Sequence, residues 1–262
     1  MNITQNIDND IKFLTKSEIR LKILNELQKK PNNVRGLVKN TKITYSSIST
    51  NIMKLEQNNN IKKIENKYHI TPMTDIYLKT LMDFKNSVDI VNTYEEFWNK
   101  HNLNQLSITS IKKITALKNA QLIETTPIDI YKTHNTTKKQ MIKSTSVKAI
   151  FPYLHPEYPE IIEHILENKG SLEIIIPQTI FKELITRIDR KTRKNAMKNR
   201  NLKIYLTKKD LNLYLSITDA TISLGLFKND GSFDQNRILI SKNQKSLKWG
   251  NDLFEHVKTE VV

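Results

Sequence analysis

The chain has 262 residues, with 42 Lys and Arg against 27 Asp and Glu for a formal charge of +15, and it contains no cysteine. Disulfides, thiolate catalysis and Cys-ligated metal centres are therefore excluded, and no apolar run reaches the length of about 18 residues that a membrane-spanning helix needs. A pI near 9.7 and a mean hydropathy of −0.51 leave room for packed cores under a polar, basic surface, which makes nucleic acid the first anionic partner to consider.

The opening MNITQNIDND has no basic segment followed by an apolar one, so no signal peptide and a cytoplasmic location are expected. Thr15 and Glu18 have the spacing of a capping box at the head of TKSEIRLKILNELQKK. Ile19, Ile23, Leu24 and Leu27 then form one apolar helix face, which Pro31 ends. A second, short helix is expected in NNVRGLVKN, with Val34, Leu37 and Val38 inward. After a brief turn at 41–43, Thr44 can cap a third helix whose Ile48, Ile52 and Leu55 face the core. IKKIENKYHI reads as two short strands around Glu65–Lys67. Three helices followed by a small hairpin are the pattern of a winged helix-turn-helix.

In that pattern the third helix enters the major groove. Its front carries Tyr45 and the small polar residues Ser46, Ser47, Thr50 and Asn51. Small hydroxyl and amide side chains let a helix lie close to base edges, where Asn suits adenine and Ser or Thr suits base or phosphate. Lys42 and Lys54 flank this face, and Lys62, Lys63 and Lys67 supply a basic wing suited to phosphates. These ten residues are the expected contacts to double-stranded DNA. The plain alternative is a three-helix subdomain with solvated polar side chains. The order of the elements, the short turns and the basic wing together favour the first reading, and the charge of residues 1–75, 13 Lys and Arg against 7 Asp and Glu, is consistent with it. The chain is also heavy in Asn, Ile and Lys, as an AT-rich genome produces, which accounts for part of the basicity.

Thr71 followed by Pro72 reads as an N-cap with proline at the first helical position. The helix should run to about Val91, with an apolar stripe of Ile76, Tyr77, Leu81, Phe84, Val88 and Val91. The same helix of a second subunit could bury this stripe, giving a homodimer, and so could docking on a second domain. EEFWNKHNLNQL and the apolar ITSIKKITALKNAQLIE follow, then a looser stretch over 124–145. From residue 146, SVKAIF, SLEIIIP, LKIYLT, LYLSIT and TISLGLF read as strands. PEIIEHILENKG, QTIFKELITRIDRKT and SLKWGNDLFEHVKTE read as helices. The expected fold is α+β in two domains. A winged helix-turn-helix occupies 1–71, a linking or dimerising helix and helical segment 72–123, and an α/β sensor domain 124–262.

SEIRLKILNEL and YSSISTNIMKLEQNNNIKKIENKYHITPM resemble the winged-helix half of archaeal ArsR-like regulators. EEFWNKHNL, IFPYLHPEYPEI, LGLFKNDGSFD and LKWGNDLFEH, in that order, resemble the second half of methanogen regulators with a filament-induction or methanogenesis-regulatory domain. The resemblance covers nearly the whole chain. It implies a dimeric cytoplasmic transcriptional regulator of a methanogenic archaeon, not an enzyme, whose second domain responds to a small-molecule effector or a partner.

Other constellations are weaker. The order of strands and the closing helix also resemble phospholipase D-like folds, which need H-x-K-x4-D. Only His256 and Lys258 give H-x-K, and the sequence shows no Asp at the required spacing, so a catalytic motif is not expected. A degenerate phosphodiesterase or nuclease, or an interaction scaffold that binds no DNA, is thus the alternative reading. No phosphate-binding loop or nucleophile elbow is present. RIDRKTRKNAMKNR, residues 187–200, carries seven basic residues against Asp189 and reads as a solvated helix end and loop, or as a phosphate or additional DNA contact. Asp230 and Asp234 around Gly231 could hold a cation, but Asn-Asp-Gly after a strand is first a turn. Phe151, Tyr153, His155 and Tyr158 lie at a strand end, where open α/β sheets bind ligands. They are the expected ligand-pocket residues, with core packing as the alternative. His69, His101, His134, His155, His164 and His256 show no close metal-ligand spacing. No metal site and no cofactor are expected.

Overall fold

The computed structural model describes residue 9 and residues 11–261. The chain splits into two compact units, Met1–Lys85 and Asn86–Val262. No helix among the described residues is long and apolar enough to cross a membrane.

The first unit holds α1 (Glu18–Lys29), α2 (Val34–Thr41), α3 (Tyr45–Gln57) and the antiparallel hairpin of β1 (Ile61–Ile64) and β2 (Lys67–Ile70). The expected capping box at Thr15 and Glu18 does not form. Residues 11–15 are already helical, and the Thr15 hydroxyl donates to the Ile11 carbonyl at 2.7 Å. Ser17 takes the cap position and accepts from the Arg20 amide at 3.3 Å. Ile23, Leu24, Leu27, Leu37, Ile48, Ile52 and Leu55 converge in one core, closed by Ile61 and Leu78. The hairpin turns through Glu65 and Asn66, both at positive φ (45° and 61°), as a two-residue primed turn requires. Asn32 pairs with Tyr68 through two backbone hydrogen bonds of 3.2 and 2.8 Å, tying the hairpin to the loop before α2. The helix α4 (Pro72–Thr93) starts at the Thr71–Pro72 cap, where the Thr71 hydroxyl accepts from the Thr74 amide.

The second unit is built on a seven-stranded mixed sheet of order β3-β9-β8-β7-β4-β5-β6. These strands are Gln121–Glu124 (β3), Ser146–Ile150 (β4), Ser171–Pro177 (β5), Leu202–Thr207 (β6), Leu213–Thr218 (β7), Ile222–Leu226 (β8) and Arg237–Ser241 (β9). β4, β5 and β6 run parallel, and the other pairings are antiparallel. Period-2 alternation sends neighbouring residues to opposite cores. Leu213, Leu215 and Ile217 of β7 join one cluster and Tyr214 the other; Leu239 of β9 joins the first, Ile238 and Ile240 the second. The first face is covered by α5 (Glu95–Lys100), α6 (Ile108–Lys112), a 3-10 turn (Ile114–Leu117) and the C-terminal helix Gln244–Val261, which supplies Trp249, Leu253 and Phe254. The second is covered by α7 (Lys132–Ile142), α8 (Tyr158–Glu167), α9 (Gln178–Arg187) and α10 (Arg190–Asn199). The C-terminal helix is α11.

Three expectations need correction here. The stretch 124–145 is not loose throughout: α7 lies in it, with Thr133, Thr137 and Met141 as its buried residues. Polar threonines at core positions hide the apolar periodicity. Residues 187–200 are largely a helix, not a loop, and Asp189 caps it by accepting from the Thr192 amide at 2.9 Å. Finally, the unit boundary falls inside α4 rather than at 71 and 123. Ile90, Phe97, Trp98, Leu106, Ile114 and Leu117 belong to the first core cluster of the second unit, and β3 is an edge strand of its sheet.

His101 fixes the start of this unit to the β8–β9 loop. Its Nδ1 contacts the Phe97 carbonyl, and its Nε2 lies 3.0 Å from Asp234 Oδ2, with side chains 0% and 2% exposed. Both ring nitrogens thus meet oxygen atoms inside the unit. Removing His101 takes from the buried Asp234 its 3.0 Å partner and leaves only Arg237 Nη1 at 3.9 Å and the Asn236 amide at 3.0 Å. His101→Ala should therefore destabilise this unit by ~3 kcal/mol. Denaturant unfolding followed by tryptophan fluorescence measures it cleanly, because the only two tryptophans, Trp98 and Trp249, both lie in this unit's core. A loss below ~1 kcal/mol would place the pair with ordinary surface bridges.

Candidate functional site

Two surfaces combine polar groups in a way that core packing does not require. The first is the front of α3 with the β1–β2 hairpin. Thr44 sits at the N-cap; its Oγ1 accepts from the Ser47 amide at 3.4 Å and donates to Ser47 Oγ at 2.9 Å. Tyr45 is 61% exposed, Ser46 and Thr50 are exposed, and Ser47 and Asn51 are half-buried. The Asn51 Nδ2 donates to the Ser47 carbonyl at 2.9 Å, which leaves its Oδ1 as the free acceptor. Lys42 ends α2 in the left-handed region (φ 56°), and both it and Lys54 are exposed. Lys62, Lys63 and Lys67 are exposed on the hairpin, with Lys63 Nζ 5.9 Å from the Tyr68 ring centroid. The helix thus offers an amino terminus of partial positive charge, small polar side chains and flanking ammonium groups.

The second surface is a cavity of about 360 Å³ in the α/β unit, lined by Tyr153, His155, Tyr158, Tyr214 and Phe233 among others, with α7 and residues 234–238 completing the wall. It opens beyond the carboxyl end of β4, where that strand lies between the parallel β5 and the antiparallel β7. Pairing of Ile150 with Leu215 sets Tyr214 beside Phe151, and their rings stack at 6.1 Å. Phe151 stacks on Tyr158 at 4.0 Å and is itself buried, so it supports the wall from behind. Gly225 pairs with Tyr214, and a Cβ there would stand 3.1 Å from the Phe233 ring, so the glycine makes room for that ring over the cavity. Burial holds the phenols of Tyr153, Tyr158 and Tyr214 above their ordinary range, so they are neutral hydrogen-bonding groups.

One rim of the cavity carries a cluster that histidine spacing does not reveal. His134 of α7 and His155 of the β4–α8 connection stack at 3.7 Å. His134 Nε2 lies 2.5 Å from Glu157 Oε2, and Lys138 Nζ lies 3.0 Å from Glu157 Oε1. The Glu157 amide donates to His155 Nδ1 at 3.2 Å. Lys138, then His134, hold the Glu157 carboxyl below its ordinary range. Burial, then the neighbouring His134, hold His155 below the usual imidazole range. The two histidines are 21 positions apart in sequence, and only the packing of α7 beside α8 unites them.

The remaining motifs disperse. Asp230 accepts from the Ser232 amide at 2.8 Å as a turn residue, Gly231 has φ 85°, and Asp234 faces His101. His256 lies 3.3 Å from Glu260, and Lys258 lies over the Tyr205 ring at 4.2 Å, so the H-x-K pair is engaged in helix-surface contacts.

The α3 cap is a separable contribution. Thr44→Ala should destabilise the first unit by ~1 kcal/mol and speed amide exchange across residues 45–57. Unchanged exchange would mean that the Thr44 hydroxyl contributes nothing to helix stability.

Residues 8–89 match the family described as the N-terminal domain of Methanogenesis regulatory protein FilR1, and residues 130–260 match its middle domain. Methanogenesis regulatory protein FilR1 of Methanothrix harundinacea (strain 6Ac) is 22% identical over 254 residues, covering 94% of this chain and 56% of that protein. The chain therefore spans about half the length of this relative. Among solved structures, the archaeal chromatin protein TrmBL2 aligns over 97% of this chain and 99% of its own, at 11% identity and a TM-score of 0.43. A protein described as an IclR-family transcriptional regulator from Rhodococcus sp. aligns over 95% of this chain and 92% of its own, at 9% identity and a TM-score of 0.21. Likenesses at these scores are too loose to carry functional argument. The two family matches together take in most of both units, and the chain belongs to the family of Methanogenesis regulatory protein FilR1.

Proposed function

We propose that the protein is a dimeric, cytoplasmic, DNA-binding transcriptional regulator of the ArsR-like class. The winged helix-turn-helix binds double-stranded DNA, and the α/β unit senses a small-molecule effector or a partner through the cavity beyond β4. The observation that carries the DNA reading is the joint exposure of the polar front of α3 and the lysines of the hairpin, on a unit whose residues match a regulatory family. Asn51 presents Oδ1 toward a base-edge donor; a bidentate adenine contact also requires its Nδ2 to leave the Ser47 carbonyl. The exposed Thr50, and Ser46 once it leaves its 3.4 Å contact with the Thr44 hydroxyl, can follow base or phosphate, and the ammonium groups of Lys42, Lys54, Lys62, Lys63 and Lys67 suit phosphates.

Support for dimerisation comes from α4. Ile76, Phe84, Val88 and Val91 are 64%, 66%, 37% and 44% exposed, an apolar stripe left open along the helix. Ile11, Leu14, Ile76, Tyr77, Leu81 and Phe84 line an apolar groove of about 600 Å³. Apolar surface of this extent seeks a partner, and a second copy would set two α3 helices about one DNA turn apart.

Gel-shift titration with genomic fragments at several salt concentrations tests the DNA reading. Asn51→Ala should weaken binding to the preferred fragment by ~1–3 kcal/mol with little effect on random DNA. Changing Lys62, Lys63 and Lys67 to Gln should weaken both alike and flatten the slope of log affinity against log salt by up to ~0.9 per lost contact. Absence of any shift by the folded wild-type chain at low salt refutes the reading. For the dimer, light scattering should give twice the chain mass, and Leu81→Glu with Phe84→Glu should give monomers that bind the fragment weakly. A monomeric wild type at micromolar concentration removes dimerisation.

A further inference from the structure

We propose that His134, His155 and Glu157 form a binding site for a divalent transition metal ion of the zinc class, with an open coordination position toward the cavity beyond β4. One ligand atom from each residue lies within 4.8 Å of the others. Tetrahedral zinc with bonds near 2.0–2.1 Å holds its ligand atoms ~3.3 Å apart. Binding would open the His134–Glu157 pair from 2.5 Å and draw the third ligand in from within 4.8 Å. Two imidazoles and a carboxylate suit zinc-class ions better than calcium or magnesium, which favour all-oxygen shells. Three protein ligands leave a fourth position, and His134 and His155 both line the cavity, so that position faces a bound molecule or water.

The metal-free arrangement shows what the ion would replace. A His134 N–H occupies one oxygen of Glu157 and the Lys138 ammonium the other. Positive charge and a proton thus stand around the carboxylate where a cation would bind. Lys138 also reaches Glu160 at 3.3 Å, so it keeps an acidic partner when Glu157 turns away. His155 would ligate through Nε2 after its proton moves to Nδ1, at the cost of the 3.2 Å bond from the Glu157 amide. With no cysteine in the chain, no thiolate site competes for the ion. The proposal stands independently of the DNA reading.

The test uses the metal-stripped full chain, titrated with zinc chloride against a chromogenic chelator, and with cobalt(II) to read coordination geometry from its visible spectrum. One ion per chain is expected, with a tetrahedral or five-coordinate cobalt spectrum. His134→Ala, His155→Ala and the nearly isosteric Glu157→Gln should each weaken affinity ten-fold or more, while His256→Ala leaves it unchanged. Lys138→Met should tighten binding several-fold, since it frees the carboxylate. Tryptophan fluorescence confirms that each variant is folded. The proposal is overturned if folded Glu157→Gln and His155→Ala bind as the wild type does, if Lys138→Met binds more weakly, or if the wild type binds no zinc at micromolar concentration.

Discussion

The central strands β7 and β8 are buried along their whole length, so this part of the sheet has no solvent face. Every residue in them needs a layer above or below, and much else follows from that. The sheet must be roofed on both sides, with α11 and the residues from 90 to 117 on one face and α7 to α10 on the other. Polar residues on or beside the buried strands meet partners in two places. Ser223 Oγ donates to Gln140 of α7 at 2.9 Å, and the Thr218 and Thr221 hydroxyls meet at 2.8 Å. Where β4 ends and the chain turns toward α8, the roof is incomplete. Aromatic rings from β7, the β4–α8 connection and the β8–β9 loop close the gap only partly, and the cavity is what remains.

Much of this was legible in the sequence, for identifiable reasons. Strands such as SLEIIIP and LYLSIT are dense in β-branched and aromatic residues, and the punctuation before them is clear. The three helices of the first unit show apolar residues at helical spacing, and the hairpin fits a two-residue turn even without glycine. The long helix after Thr71–Pro72 carries its own start signal. What escaped detection depends on long-range packing. α7 uses Thr133 and Thr137 at buried positions, so its pattern reads as polar. Ser17 rather than Thr15 caps α1, because the chain is already helical before it. The membership of residues 90–123 in the second unit is decided by what Phe97 and Trp98 touch, and no local period encodes that.

The candidate sites divide along the same line. The front of α3 was visible because one helix holds all of it. Tyr153, His155 and Tyr158 could be singled out because they follow a strand end, and they line the cavity. His134 could not, since it comes from a helix that the pattern concealed. Asn51 and Ser47 were identified by type, but their mutual engagement and that of Thr44 are tertiary detail: part of the polar front also serves to finish its own helix.

The hairpin turn carries a further consequence on the proposed reading. Its two central residues occupy the left-handed region without a glycine, and one of them is Glu65, an acid flanked by Lys62, Lys63 and Lys67. A glutamate there is a poor conformational choice and repels the phosphates its neighbours attract. It lowers the net charge of the tip and so limits how strongly the tip adheres to any DNA regardless of sequence. In a cell, where random sites vastly outnumber any operator, weaker adhesion shortens each futile stop and speeds the search. If the tip does meet DNA as proposed, its unfavourable charge would thus favour discrimination across the whole chromosome.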